Sequence, residues 1–134
     1  MFERDEPEVD DSYLIEFGSE CGWCAGSGFI SLKKGEITYL RNIPCGENQG
    51  TDNRNQKFTE NEWKQLLESF DYDYFISLDY NICNVCADGC DEIIRITKDN
   101  IVHEIRYNPS ESIEGLETLQ EKLRNYLAEF YETN

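Results

Sequence analysis

Two Cys-x-x-Cys pairs, each leading into the same pattern of elements, constrain this chain more than anything else in it. Cys21-Gly-Trp-Cys24 and Cys83-Asn-Val-Cys86 have their first cysteines 62 residues apart, and each is followed by Ala, a hairpin pattern and an amphipathic helix pattern. Ile30-Ser-Leu32-Lys-Lys34 matches Ile94-Arg-Ile96-Thr-Lys98 at a separation of 64. Self-similarity at such a period reads as one ββα unit used twice, with half-repeats at about 13–72 and 73–134. Two unrelated hairpin-plus-helix units would give the same pattern by coincidence. On either reading the expected fold class is α+β, an antiparallel sheet with two amphipathic helices on one face, because each element has one apolar side to bury. The other sheet face is then open or covered by loops, and it is the natural docking surface.

The local signals fill in that plan. Tyr13–Phe17 reads as a first strand. Residues 28–40 read as a hairpin turning at Lys33-Lys34-Gly35. Residues 42–57 are polar, anchored only by Ile43 and Cys45, and are expected to be a mobile loop. Thr59 and Glu62 form a capping-box pattern, and Trp63, Leu66, Leu67 and Phe70 follow as one apolar stripe, so a helix begins here. Trp63 belongs to the core on this reading. Asp71–Leu78 alternates and reads as extended; its paired Asp residues resemble the opening of a calcium loop, but the later Gly and Glu of such a loop are missing. Asp91–Ile96 and Ile101–Tyr107 form a second hairpin, turning at Lys98-Asp99-Asn100. Ile113, Leu116, Leu119, Leu123, Leu127 and Phe130 mark a closing helix that runs to about Glu132.

The charge narrows the function classes. The 134 residues carry 28 acids against 12 bases, a formal charge of −16. Such a surface cannot grip a phosphate backbone, so no nucleic-acid partner is expected. Residues 3–11 hold six of the acids, and residues 1–12 are expected to form an acidic, flexible, solvated tail, leaving 13–134 as the folded domain. No run of 18 apolar residues occurs, so no transmembrane segment is expected. The N-terminus has neither the basic start nor the apolar stretch of a secretory signal, which gives a cytoplasmic expectation; a cell-envelope location follows if a signal segment has been removed.

The cysteines leave three states open. Four thiolates from the two pairs, Cys21, Cys24, Cys83 and Cys86, would close a tetrahedral site for one structural zinc ion, with Cys90 and His103 as reserve ligands. Disulfides are the second state, either within a pair such as Cys21–Cys24 or as a bridge between the halves, and they require an oxidising compartment. Reduced structural thiols are the third. A redox-active pair is disfavoured, because such a site opens a helix, whereas Cys24 and Cys86 lead into Gly- and Asp-containing turns. His103 shares a strand face with Ile101, Ile105 and Tyr107, and reads as a core histidine before a ligand or a catalytic base. No phosphate loop is present, and no pair of carboxylates stands apart from the rest, so no enzyme class is indicated.

Cys21-Gly-Trp-Cys24, Phe29-Ile-Ser-Leu32 with Gly35 turning into Ile37-Thr-Tyr39, and Phe58-Thr-Glu-Asn-Glu-Trp-Lys-Gln-Leu-Leu67 resemble uncharacterised bacterial domains often carried on envelope lipoproteins. The resemblance covers about residues 13–107. It departs from those domains in cysteine spacing and in lacking a lipid-attachment cysteine near the start. It transfers no site; it implies export, and hence disulfides. The functional expectation is a small acidic, non-enzymatic protein-binding module that docks on a basic partner in the manner of an inhibitor or immunity protein. The candidate contacts are the 42–57 loop, the open sheet face, and Asp71, Asp73, Asp88 and Asp91. The alternatives are a structural zinc domain and a thiol-disulfide oxidoreductase.

Overall fold

Apolar residues at every second position build the sheet. Ile15 and Phe17, Ile30 and Leu32, Ile37 and Tyr39, Ile94 and Ile96, and Ile105 and Tyr107 are all fully buried, and their strand neighbours are not on the same side. The computed structural model describes residues 12–22, 26–43, 45, 49–87 and 89–132. The expected acidic tail lies outside these residues, apart from Ser12.

Six antiparallel strands form one sheet in the order β4-β3-β2-β1-β5-β6. They are β1 (Tyr13–Cys21), β2 (Gly26–Lys33), β3 (Glu36–Ile43), β4 (Gly50–Lys57), β5 (Cys90–Lys98) and β6 (Ile101–Tyr107). The helices are α1 (Glu60–Glu68), α2 (Tyr72–Ser77) and α3 (Glu117–Glu132), with a short 3-10 turn at Asn84–Ala87. The first strand is central: the meander β1-β2-β3-β4 runs outward on one side, and the β5-β6 hairpin is laid against the other. Two turns show why the hairpins close where they do. Gly35 takes φ 94°, which a side chain resists, and Asp99 and Asn100 take φ 50° and 71°, the paired positive angles of a two-residue hairpin turn.

The chain then crosses the sheet. Phe58 starts the crossing with its N–H donated to the Gly35 carbonyl and its ring against Tyr126 of α3. Thr59 caps α1, its hydroxyl accepting from the Glu62 N–H at 3.1 Å while Glu62 returns a carboxylate to the Thr59 N–H at 3.1 Å. Phe70 and Tyr72 pack edge-on against Tyr13 of β1, and Phe75 of α2 packs edge-on against His103 of β6. Trp63 and Leu66 from α1, Phe75 from α2, and Leu119 and Leu123 from α3 join one buried cluster with the inward strand residues. Each fully buried Ile, Leu or Phe side chain contributes about 1.5–3 kcal/mol over its exposed state, and this cluster is the main source of stability.

Three expectations are corrected. Residues 42–57 are not a loop throughout: β4 occupies Gly50–Lys57 and pairs with β3 from Glu36↔Lys57 to Ile43↔Gly50. Within 71–78, Tyr72–Ser77 is not extended but forms α2, whose start is fixed by Asp71, which accepts from the Asp73 and Tyr74 N–H groups. There are three helices where two were expected, and β4 has no counterpart between β6 and α3.

One close approach fixes a residue type. A Cβ on Gly18 of β1 would sit 2.1 Å from the Gly28 carbonyl oxygen and 2.7 Å from Phe29 Cα. Only glycine lets the central strand pass its neighbour at that point.

Candidate functional site: the disulfide corner and the acidic helix layer

Strand pairing decides the cysteine chemistry. In the β1–β5 ladder Cys21 stands directly opposite Cys90. Their Cα atoms are 4.0 Å apart, and the two are joined as a disulfide across 69 residues of sequence. This spacing is near that of the close, non-hydrogen-bonded pair of an antiparallel ladder, where side chains are nearest. Cys83 and Cys86 close a second disulfide with a Cα separation of 5.4 Å. Cys45 is disulfide-bonded as well.

The zinc expectation is therefore corrected. Cys21, Cys83 and Cys86, and the reserve ligand Cys90, have their sulfurs committed to S–S bonds and offer no thiolate to a metal. Cys24 lies outside the described residues. The other reserve ligand, His103, sits half-buried on the inner face with Nε2 donating to the Leu78 carbonyl at 2.8 Å. Among the described residues no group of three or more His, Cys, Asp or Glu side chains is placed to hold a metal ion.

Beside the cysteines a charged network lies on the sheet face opposite Ile15, Phe17, Ile94 and Ile96. Asp91 is fully buried, and it accepts from the Asn84 N–H at 2.8 Å and from Arg106 Nε and Nη2 at 3.2 and 2.9 Å. The same guanidinium donates to Glu20 at 2.6 Å and lies 3.5 Å from Glu104. Arg95 continues the chain, donating to Glu104 at 2.8 Å and to Glu16 at 3.3 Å. Arg106 is held well above its ordinary pKa, chiefly by the bond from Glu20; burial opposes this, and Asp91 adds to it. For Arg95 burial pulls downward, but the bonds to Glu104 and Glu16 win and the net shift is upward. Both guanidinium groups are permanent cations. Four of the open face's carboxylates are thus spent on internal partners, and Asp91, expected as a partner contact, is turned away from solvent.

A further ion pair lies on the inner face, where Glu92 takes Arg124 of α3 at 2.6 Å and raises its pKa against the effect of burial. Beside it burial pushes the Tyr107 phenol far above its usual range, so it stays neutral at physiological pH.

The helix layer has the opposite character. Residues 60–80 and 111–132 hold twelve acids against three bases (Lys64, Lys122 and Arg124), whereas the sheet-bearing stretches 12–59 and 81–110 hold ten against eight. Outside the N-terminal arm, most of the net charge therefore sits on the helical segments. Asp71, Asp73 and Asp79 are exposed, and none has an ion-pair partner among the described residues. Between them Tyr74 and Ile76 of α2 are 36% and 40% exposed. Tyr74 is fixed in place, its hydroxyl donating to the Glu114 carbonyl and its ring lying against Gly115. Asp88, the remaining expected contact, lies outside the described residues.

Sequence reasoning named Asp71 and Asp73 as contacts but read their segment as extended, and it missed Tyr74, Ile76 and Asp79 nearby. The missed signal was Asp71 itself: an Asx cap ahead of an aromatic run also starts a helix. No protein-family model matches the chain, and no curated protein matches it by sequence. No helix among the described residues is long and apolar enough to cross a membrane.

Proposed function

We propose that the protein is a disulfide-braced, non-enzymatic recognition module whose acidic helix layer docks on a basic protein surface. The observation that carries this reading is the α2 segment, in which Tyr74 and Ile76 are exposed and the exposed Asp71, Asp73 and Asp79 stand within a few residues of them in the chain. A small apolar anchor inside a charged rim is the usual make-up of a binding hot spot, and the unpaired carboxylates steer a basic partner toward it. The open sheet face is the weaker candidate, because its charges are already satisfied by one another. The disulfides favour an oxidising compartment, such as the cell envelope, over the cytoplasm.

The test is a triple variant, Asp71→Asn with Asp73→Asn and Asp79→Asn. Asn caps a helix about as well as Asp, so α2 should persist and the thermal melt should stay close to that of the parent. The immobilised parent should retain a basic protein at about 0.05 M salt and lose it at about 0.5 M. The variant should associate with that protein at least about tenfold more slowly, as read by biolayer interferometry. Retention of no basic protein, binding unaffected by salt, or equal association by the variant would each contradict the proposal.

A further inference from the structure

The two disulfides described above are placed very differently. Cys21–Cys90 is half-buried within the central β1–β5 ladder, with Gly22 N–H donating to the Gly89 carbonyl just beyond it at 2.9 Å. Cys83 and Cys86 are both exposed, Cys83 just before the four-residue turn and Cys86 within it. A single 3-10 turn is marginal alone, since few hydrogen bonds offset the ordering of its backbone. This one nevertheless carries four contacts that matter. Asn84 N–H donates to buried Asp91, and Asn84 Nδ2 donates to the Cys90 carbonyl at 3.0 Å and to Asn108 at 2.8 Å. Gly89 N–H returns to the Asn84 carbonyl at 2.7 Å. The turn is thus a lid on Asp91, held by Asn84, and the exposed disulfide is its clasp.

We propose that Cys83–Cys86 is a dithiol-exchangeable redox switch whose reduction lifts this lid and uncovers Asp91 and Arg106, while Cys21–Cys90 keeps the sheet locked. The co-reactant is a dithiol of the thioredoxin chemical class. One of its thiolates attacks an exposed sulfur, the Cys83–Cys86 bond breaks, and a mixed disulfide forms while the departing sulfur takes up a proton. The second thiol of the reductant then attacks its own partner sulfur and releases the other cysteine as a thiol. Two electrons pass to the protein, and the reductant leaves as a disulfide. Nothing here makes the pair a catalyst; the change it produces is the exposure of a carboxylate and a guanidinium at the end of the open sheet face.

The experiment uses the full chain and dithiothreitol as the reductant, with iodoacetamide trapping, peptide mass analysis and amide hydrogen exchange. Cys83 and Cys86 should become alkylated at a reductant concentration at least about tenfold below that needed for Cys21 and Cys90. Exchange at Asn84 and Gly89 should then speed up at least about tenfold, with β1 and β5 still protected. The double variant Cys83→Ser/Cys86→Ser should show the exchange pattern of the selectively reduced parent. Simultaneous opening of both disulfides, unchanged exchange in the turn after reduction, or loss of protection throughout the sheet in the double variant would overturn the proposal.

Discussion

Replacing Arg106 by leucine should cost the fold about 3–5 kcal/mol, more than any ordinary surface change. Asp91 has no exposure, and Arg106 supplies two of its three hydrogen bonds. Without the guanidinium a carboxylate stays buried with only the Asn84 N–H to satisfy it, and removing the partner of a buried charge costs far more than the pair gains. A domain of this size is stable by about 5–15 kcal/mol, so the loss is a large share of the total. The melting temperature should fall by about 10–20 °C. Adding Asp91→Asn to Arg106→Leu should recover much of the loss, because the stranded charge goes with it. Urea unfolding of the three proteins measures this; a cost below about 1 kcal/mol for the single variant would mean that Asp91 is reached by water. By contrast, Arg95 with Glu16 and Glu104 is about a third exposed, and breaking that set should cost no more than about 1 kcal/mol.

The second large effect should come from the strand-to-strand disulfide. Cys21 and Cys90 are 69 residues apart in sequence, and Cys83 and Cys86 are three apart. In the chain-entropy account a cross-link stabilises by restricting the unfolded chain, and the effect grows with the loop it closes. The Cys21→Ser/Cys90→Ser double variant should therefore lose about 4 kcal/mol, against about 2 kcal/mol for Cys83→Ser/Cys86→Ser. Denaturant midpoints under non-reducing conditions give both numbers. Equal losses, or a larger loss from the second pair, would show that the 3-10 turn braces the sheet and is not a lid. That ordering also underlies the proposed switch, since the clasp is the cheaper cross-link to open.

What could be read from the sequence, and what could not, follows from which forces leave a periodic trace. The β2–β3 and β5–β6 hairpins were legible because Ile30 and Leu32, or Ile94 and Ile96, recur at every second position on the inner face. The capping box of α1 was legible because Thr59 and Glu62 satisfy backbone groups within four residues of chain. β4 left no trace. It is an edge strand in which only Arg54 is even half-buried, and Gly50–Lys57 contains no large apolar residue. Backbone hydrogen bonds to β3 hold it, and those do not depend on side-chain type. The six residues of α2 are too few to separate a period of two from one of 3.6, and only Phe75 is buried.

The site was harder to read, because it depends on sheet order. Placing Cys21 opposite Cys90 requires that β5 pair with β1, a contact across most of the chain that local pattern cannot give. The β5–β6 pairing sets Arg106 beside Asp91, and the β1–β5 pairing sets Glu20 opposite it, so Asp91 leaves the surface. The zinc expectation rested on the two Cys-x-x-Cys pairs acting as units; only the second does so, and it closes on itself as a disulfide. Charge was better behaved. The total of −16 said that the surface was acidic, but only the division into sheet and helices located the excess.

Peptide mapping of the unreduced protein tests the covalent frame on which all of this stands. Digestion that cuts at Asp88, with alkylation but no reductant, should yield a cross-link joining the peptides of Cys21 and Cys90, and a peptide closed internally between Cys83 and Cys86. Cys21 linked to Cys24, or free thiols at these four positions with about one equivalent of zinc, would contradict the account.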